Sequence, residues 1–403
     1  MGRSIAFSPP DIGEAEIAAV AEVLRSGWIT TGPKTKQFER QLASYCGVSR
    51  AACLGSATAA LELTLRVLGI GPGDEVITSA YTYTASASVI CHVGATPVLV
   101  DTAPGSYEMD YDRLEAAITE KTKAVIPVDI AGVMCDYGHI YEIIRERTAL
   151  FNPSENPIQR ALGRVAVLAD AAHSLGAYRA GNRSGQAADF TCFSFHAVKN
   201  LTTGEGGAAV WGPVPGIPEE EIYRQYMLLS LHGQSKDALE KTKGGSWEYD
   251  ILFPAYKCNM TDIQAAIGMT QLSRYPALLA RRKELFALYQ QELADAPVSL
   301  LVHQGVDFCS SHHLCLTRLE GLGEGERNEV IRKLAERGIA SNVHYKPLPL
   351  LTAYRSLGFS IEAFPNALAQ YQNELTLPLH TLLSDEDVYY ITQELKNILQ
   401  QYN

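Results

Sequence analysis

The first part of the chain alternates helical patterns with short apolar runs. Between residues 14 and 24, apolar side chains recur at helical spacing on one face, and Gly27 follows as a stop signal. A second helical pattern covers residues 58–68 and stops at Gly69. Both patterns predict amphipathic helices, each with one apolar face.

Short runs rich in β-branched residues lie between these helices. Runs such as residues 98–100 are apolar at consecutive positions and do not alternate with polar ones. Strands of this kind are typical of a parallel sheet that is covered by helices on both faces. We predict strands at residues 51–54, 75–78, 97–100, 124–128, 165–169, 190–195 and 208–211.

The pattern changes near residue 272, where a long helical stretch (272–293) leads into alternating β-like and helical segments. We therefore predict an α/β fold with two domains. The large domain (1–271) would hold a mostly parallel, seven-stranded sheet between helices, and a smaller α+β domain would follow at 272–403. Acidic residues follow three of the strands, at Asp101, Asp129 and Asp170. In open α/β sheets, the ligand site lies at these carboxyl ends.

Composition narrows the class of protein. Hydrophobic residues make up 46% and charged residues 20% of the chain, which excludes a disordered protein. The net charge of −11 argues against binding to nucleic acid, and no apolar run is long enough for a membrane span. The N-terminus lacks the apolar core of a signal peptide, so we expect a cytoplasmic protein. The eight cysteines form no CxxC pair, and we expect no metal site.

Lys199 follows a predicted strand and precedes a glycine-rich loop with Gly204, Gly206 and Gly207. Most lysines are exposed charges, and a free lysine has a pKa of about 10.4. Held close to an aldehyde in a partly dry pocket, however, the amine forms an imine. Its position at a strand end, beside residues that permit close approach, favours this covalent role. The released amine could then move a proton.

Asp170 ends an apolar strand one strand earlier, and His173 follows it. A helix cap is one interpretation of Asp170. The other is a partner for the protonated nitrogen of an aromatic ring, which the nearby Lys199 favours. His173 could donate a hydrogen bond to a ring oxygen or be an ordinary core histidine.

The segment 55–61 is a turn of small residues that opens a helix. Helix N-termini attract anions, and Thr58 and Ser194 add hydroxyl donors. Taken alone, a Ser-x-Thr sequence before a helix is in most cases an N-cap. Tyr83 could lie flat on a ligand ring or belong to the core.

These motifs, in this order, resemble the DegT/StrS-type sugar aminotransferases, which are fold-type I pyridoxal-phosphate enzymes. The matching segments are residues 26–33, 56–61, 170–173, 194–200, 203–207, 256–268, 343–348 and 374–380. The resemblance implies that Lys199 carries the cofactor as a Schiff base. It implies the following further cofactor contacts: Asp170 with the ring nitrogen, His173 with the ring oxygen, Thr58, Ala59 and Ser194 with the phosphate, and Tyr83 with the ring face.

The resemblance also implies an assembly and a substrate. Asn259 would reach the cofactor phosphate of a neighbouring subunit, so the active sites would be shared in a homodimer. The substrate contacts would come from Trp28, Thr30, His344 and Tyr345. The amino group would pass from L-glutamate to a nucleotide-linked keto sugar, for amino-sugar or polysaccharide biosynthesis. Residues 128–137 look like those of members that aminate 4-keto-6-deoxy sugars at C4.

Two alternatives remain open within this family. Some members are sugar dehydratases, and those with histidine at the lysine position differ from this chain, which has Lys199. A regulatory relative that has lost catalysis is the other alternative. The intact set of Lys199, Asp170 and Ser194 argues against it.

Overall fold

A computed structural model of the protein describes residues 3–236 and 248–402. In chain order, its helices are α1 (Glu14–Ser26), α2 (Pro33–Cys46), α3 (Ala57–Val67), α4 (Ala85–His92), α5 (Tyr111–Ala117), α6 (Tyr137–Glu146), α7 (Pro157–Leu162), α8 (Glu219–Ser230), α9 (Asp262–Glu292), α10 (Glu324–Glu336), α11 (Thr352–Ser356), α12 (Pro365–Asn373) and α13 (Asp385–Leu399). The strands are β1 (Ala51–Leu54), β2 (Glu75–Ser79), β3 (Thr96–Val100), β4 (Thr122–Ile126), β5 (Ala166–Asp170), β6 (Tyr178–Arg179), β7 (Asn182–Arg183), β8 (Phe190–Ser194), β9 (Gly207–Trp211), β10 (Val298–Leu300), β11 (Phe308–Cys309), β12 (Cys315–Leu319) and β13 (Glu374–Leu377).

Seven strands form one large sheet in the order β1-β9-β8-β5-β4-β2-β3. The pairs from β8 across to β3 are parallel, whereas β9 runs antiparallel to both of its neighbours. The predicted α/β fold with a mostly parallel, seven-stranded sheet is therefore confirmed.

Both faces of this sheet are covered by helices. In β4, Val125 packs in a cluster that includes Phe38 and Leu42 of α2. The next residue, Ile126, points to the other face and packs in a cluster that includes Leu61 of α3. Because successive residues of a strand face opposite sides, a sheet covered twice needs apolar residues at consecutive positions. This explains the pattern in the sequence.

The long helix α9 begins earlier than predicted, at Asp262 and not at residue 272. Thr261 and Gln264 form a capping box at its start. Its first turns carry small residues that do not register as an apolar stripe. At Gly268, a Cβ atom would lie 2.6 Å from the Phe38 ring, so the helix packs closely on α2 because its residues there are small.

The C-terminal part is built on a second sheet, in the order β10-β12-β13, with antiparallel pairs. A separate hydrophobic cluster joins this sheet to α9, α10 and α13, and Ile5 near the N-terminus belongs to it. The predicted domain boundary at 271/272 falls inside α9, and the division into domains stays a prediction. Within the described ranges, no helix combines the length and apolarity needed to cross a bilayer.

Candidate active site

A cavity of about 440 Å³ lies at the carboxyl ends of β5 and β8 and is closed on one side by the C-terminal part. Its walls include the following predicted site residues: Thr58, Tyr83, Asp170, His173, Ser194, Lys199, His344 and Tyr345. The structure thus brings together segments from four widely separated parts of the sequence. Ala59, Asn259, Trp28 and Thr30 do not line this cavity.

Lys199 lies in the turn after β8, where its N–H donates to the carbonyl of His196 at 2.9 Å. The hydroxyl of Ser8 donates to the carbonyl of Val198 at 3.1 Å, so the N-terminal segment lies against this turn. Desolvation lowers the pKa of Lys199 to about 8, although the charge of Asp170 opposes the shift. A larger share of the amine is therefore neutral and nucleophilic near pH 7 than for a lysine in water.

Asp170 is 5% exposed, at the end of β5. One carboxylate oxygen accepts a hydrogen bond from the Ser86 hydroxyl at 2.7 Å, and the other accepts from the N–H of Ala172 at 3.2 Å. Residues 171–177 form turns and no helix, so the helix-cap interpretation is wrong. Burial raises the pKa of Asp170, and a cation held in the cavity would compensate this buried charge.

His173 has a defined hydrogen-bonding direction. Its Nδ1 accepts from the N–H of Ala131 at 3.2 Å, and burial keeps its pKa well below the usual value. The neutral ring therefore carries its hydrogen on Nε2, which donates to the Tyr345 hydroxyl at 3.2 Å. Ala131 presents its N–H from a left-handed conformation (φ 56°). At the adjacent Gly132, a Cβ would lie 2.0 Å from Oγ of Ser311, so only glycine allows the backbone to pass this close to Ser311.

The N-terminus of α3 faces the cavity. Ser56 caps the helix by accepting from the N–H of Ala59 at 3.0 Å, so the N-cap interpretation is correct for this serine. Within the described ranges, the N–H groups of Ala57 and Thr58 have no acceptor. At Gly207, a Cβ would lie 2.3 Å from the nitrogen of Ala57, so β9 needs glycine to approach this turn. Two free N–H groups at the positive end of a helix form a cradle for a phosphate.

Aromatic rings surround the mouth of the cavity. Tyr83 is 61% exposed, and its ring centroid lies 5.9 Å from that of Tyr345. The ring of His344 stacks on Phe7 with centroids 5.6 Å apart and an angle of 18° between the planes. The exposed face of Tyr83 leaves room for a flat ring below it.

His313 lines the cavity and was missed by the sequence analysis. Its Nδ1 donates to Oδ1 of Asn200 at 2.8 Å, and Nδ2 of Asn200 donates to the carbonyl of Ser311 at 2.8 Å. The His313 ring also lies 4.3 Å, centroid to centroid, from that of His173. Asn200 directly follows Lys199, so these contacts fasten the lysine turn to the C-terminal part. Of local signals, only the adjacent histidines at 312 and 313 could have drawn attention to this loop.

Asn259, Trp28 and Thr30 lie together outside the cavity. The side-chain amide of Asn259 donates to the Thr31 hydroxyl, and its oxygen accepts from Lys257. The Trp28 indole donates to the carbonyl of Thr31 at 3.1 Å, and Thr30 is exposed. In a single chain, these predicted binding residues do not meet the other site residues.

A lysine of lowered pKa, a buried carboxylate and an anion cradle share one cavity at the end of a mostly parallel, seven-stranded sheet. This donor set fits an aldehyde, a ring cation and a phosphate, and it defines a pyridoxal-phosphate-dependent enzyme of fold type I. The model of the DegT/DnrJ/EryC1/StrS aminotransferase family matches residues 10–396, and the chain belongs to this family. It is a pyridoxal-phosphate-dependent sugar aminotransferase, so the predicted family, enzyme class and cofactor are confirmed.

Three relatives illustrate the match. The spore coat polysaccharide biosynthesis protein SpsC of Bacillus subtilis is 38% identical over 98% of this chain and 97% of its own length. Spr1654 of Streptococcus pneumoniae, assigned as a sugar aminotransferase and solved in its PLP form, is 55% identical, with full coverage of both chains and a TM-score of 0.96. PseC of Helicobacter pylori, an aminotransferase in pseudoaminic acid biosynthesis, is 27% identical over 99% of this chain and 100% of its own, with a TM-score of 0.86.

Proposed function

We propose that the protein transfers an amino group from L-glutamate to a nucleotide-linked keto sugar, with 4-keto-6-deoxy sugars as the acceptor class. The observation that carries this proposal is the shared cavity of Lys199, Asp170 and the free N–H groups at the start of α3. The names of SpsC and PseC, which refer to polysaccharide and pseudoaminic acid biosynthesis, support a role in making amino sugars.

Pyridoxal phosphate, when bound, supplies an aldehyde and an electron-withdrawing ring. In our proposal, Lys199 would hold it covalently, and the amine at Nζ, once released by substrate, would take the proton from the carbon of the amino donor and deliver it to the cofactor carbon that carried the aldehyde. Asp170 would face the ring nitrogen, and its negative charge would keep this nitrogen protonated. His173 would donate from Nε2 to the ring oxygen, in place of the Tyr345 hydroxyl, because the N–H of Ala131 keeps Nδ1 as an acceptor.

The remaining contacts hold and cover the cofactor. We assign the phosphate to Thr58, Ala59 and Ser194, with the qualification that the N–H of Ala59 already serves the Ser56 cap. Tyr83 would cover the open face of the ring. His344 and Tyr345, on the opposite wall, would contact the sugar.

A homodimer would explain the residues that lie away from the cavity. We propose that Asn259, Trp28 and Thr30 serve the cavity of the partner subunit. An interface would also bury apolar side chains that are exposed in the single chain, among them Ile17 (54% exposed) and Leu24 (55% exposed) on α1. Such side chains are frequent in interfaces between subunits, and two-fold dimers are the commonest assembly.

The test is an assay of the purified protein with pyridoxal phosphate, L-glutamate and a panel of nucleotide-linked 4-keto and 3-keto sugars. We expect 2-oxoglutarate to exceed one equivalent per active site only when an acceptor is present. Its rate of formation should be highest with a 4-keto-6-deoxy sugar, and the product should be an amino sugar. The Lys199→Ala variant is the matched blank. Product sugars that lack both the new amine and a hydroxyl would instead indicate dehydration. The proposal would be contradicted if none of the keto sugars in the panel were converted.

A further inference from the structure

A chain of buried polar groups leads from His344 away from the cavity. Nδ1 of His344 lies 2.9 Å from the hydroxyl oxygen of Thr376, and this hydroxyl bonds to Oε1 of Glu374. The other carboxylate oxygen of Glu374 accepts the backbone N–H of His344 at 2.8 Å. Glu374 and Thr376 are fully buried, and the backbone of Thr376 pairs with Asn342 on the segment that carries His344. Three side chains thus form one continuous relay.

The single hydrogen of the Thr376 hydroxyl couples the two ends of this relay. If Glu374 is ionised, its oxygens can only accept, so the hydroxyl donates to Glu374 and must accept from His344. The neutral imidazole then carries its hydrogen on Nδ1, and Nε2 keeps a free lone pair. If Glu374 is protonated at Oε1, the order reverses: the carboxyl donates to Thr376, Thr376 donates to Nδ1, and the ring hydrogen lies on Nε2.

His344 lines the cavity, and Nδ1 is occupied by Thr376 on the side away from it. Nε2 has no hydrogen-bond partner among the residues that the structure describes. Burial lowers the pKa of His344 to about 3, so the ring stays neutral across the working pH range of an enzyme. The edge of the ring that a ligand meets is therefore either a pure acceptor or a pure donor.

We propose that Glu374 and Thr376 are positioning residues that decide which nitrogen of His344 carries the hydrogen, and so whether this wall of the cavity accepts or donates a hydrogen bond. With Glu374 ionised, Nε2 accepts from a hydroxyl group and repels a carboxylate oxygen. Resting on the proposed function, this ionised state assigns His344 to a hydroxyl of the sugar and not to the carboxylates of the amino donor. With Glu374 protonated, Nε2 donates, and either group can accept its hydrogen.

Both states of the relay are within reach of ordinary buffers. Burial raises the pKa of Glu374 to about 8, against the hydrogen bonds from Thr376 and the His344 N–H and the charge of Arg327. The other titratable groups that face this carboxyl are Tyr81, Tyr107, Cys315 and Tyr345. Their own pKa values are raised by burial, so they stay neutral while Glu374 titrates.

The Glu374→Gln variant separates the two directions of the relay. The backbone N–H of His344 needs an acceptor, so the amide must turn its oxygen to that group and its NH₂ to Thr376. The hydroxyl then has to donate to Nδ1, which places the ring hydrogen of His344 on Nε2 at every pH. The substitution is close to isosteric and removes no buried atom.

Nitrogen-15 NMR of protein labelled in its histidine rings reads the tautomer directly, with or without cofactor. We assign the His344 signals by their loss in His344→Asn. At about pH 9.5, above the pKa of Glu374, we expect hydrogen on Nδ1 in the wild type and on Nε2 in Glu374→Gln. The wild-type signal should also change as the pH falls through about 8. Identical tautomers in the two proteins at the higher pH would overturn the proposal.

Thr376 supplies a second, independent pair of variants. Thr376→Ser keeps the hydroxyl and should keep the pH-dependent step of His344. Thr376→Val keeps the bulk and removes the hydroxyl, so the step should disappear. A step that persists in Thr376→Val would mean that Glu374 does not act through Thr376, and the proposal fails.

Kinetics at about pH 9.5, above the pKa of Glu374, tests the assignment to the sugar. We expect Glu374→Gln to raise KM for the keto sugar by about 3- to 10-fold, the usual effect of one neutral hydrogen bond. The half-reaction with glutamate, followed by absorbance, should change less than about twofold, because no carboxylate is assigned to this edge. Equal losses in both half-reactions would contradict the assignment. A wild type that aminates no sugar would refute the proposed function and leave the NMR result standing.

Discussion

The ends of β4 and β5 look alike in sequence, because each apolar strand is followed or ended by a buried aspartate, but the two carboxylates have different surroundings. Asp129, after β4, accepts hydrogen bonds from the N–H of Cys135, the Tyr137 hydroxyl and the Ser174 hydroxyl. It is 1% exposed and does not line the cavity. Among the residues that the structure describes, the carboxylate of Asp170 has two donors, and it opens onto the cavity.

The difference teaches that the acidic residue at a strand end does not by itself mark the site. What decides its role is how many protein donors the surrounding loops supply. Asp129 has three protein donors and holds the loop before α6 in place. Asp170 retains accepting capacity toward the cavity, where a ligand can use it. The comparison therefore predicts chemistry at the ends of β5 and β8 and structural support at the end of β4.

The largest effect should come from removing the amine at the end of β8. We expect Lys199→Ala to lower turnover by more than about 1000-fold, because the covalent attachment and the proton transfer are lost together. Lys199→Arg should be equally inactive, since a guanidinium stays protonated. The absorbance band of the bound cofactor should also shift in both variants. Turnover within tenfold of wild type in either one would remove this residue from the mechanism.

Asp170→Asn should be the next largest change. The amide has nearly the same shape as the carboxylate but cannot stabilise a protonated ring nitrogen. We expect kcat to fall by about 100-fold or more, as for the loss of one preorganised charge, with a smaller change in KM. Steady-state kinetics and a thermal melt of the same sample separate chemistry from stability. A variant altered only in KM would mean that this aspartate binds and does not activate.

The residues at the ends of β5 and β8 could be predicted because their sequence signals are local. A strand, a turn and a lysine before glycines lie within residues 190–207, and the acid that ends β5 is adjacent to the turn containing His173. The seven strands of the large sheet were predictable for the same reason, since burial on both faces leaves a continuous apolar run.

The polar contacts that hold the side chains of the site could not be predicted, because the partners are distant in sequence. Ser86 is separated from Asp170 by 84 residues, and His313 from Asn200 by 113 residues. Glu374 and Thr376 alternate with Leu375 and Leu377, a pattern that is typical of a strand with one polar face in solvent, whereas both polar side chains are buried. Only the fold shows that these polar groups have partners, and the start of α9 was missed because small residues form its packing face.

Asn259 tests whether part of the site comes from another subunit. Loss of one bond to a charged phosphate should weaken cofactor binding by about 10- to 100-fold in Asn259→Ala, measured by titration of the absorbance band. In a heterodimer with Lys199→Ala, one cavity would hold both lesions and the other neither. We therefore expect equimolar mixtures, after subunit exchange, to regain about a quarter of wild-type activity at limiting cofactor.

The control for this mixing experiment is exchange itself, verified with tagged subunits. Each variant incubated alone under the same conditions gives the baseline. No recovery in mixtures that have exchanged would place Asn259 in its own chain's site or in none. Recovery would add to the cavity a group that lies outside it in the single chain.

Asp129→Asn is the matched partner of Asp170→Asn and should have the smallest effect on catalysis, with kcat within about threefold of wild type. Its effect should appear in stability. Burial raises the pKa of Asp129 from 3.8 to about 7, so the folded protein binds a proton more tightly than the unfolded chain. The stability that this proton contributes is fully present below about pH 3.8 and is lost as the pH rises through about 7.

Asparagine does not titrate, and its NH₂ can face Ser174, whose hydroxyl can turn to Ser184. Between about pH 5.5 and 8, the free energy of unfolding should therefore fall by about 2 kcal/mol more in wild type than in Asp129→Asn, as measured by urea titration. The substitution Asp112→Asn, at an exposed position, gives the baseline. Parallel pH profiles for wild type and Asp129→Asn would show that the Asp129 carboxylate is ionised in the folded protein at all these pH values.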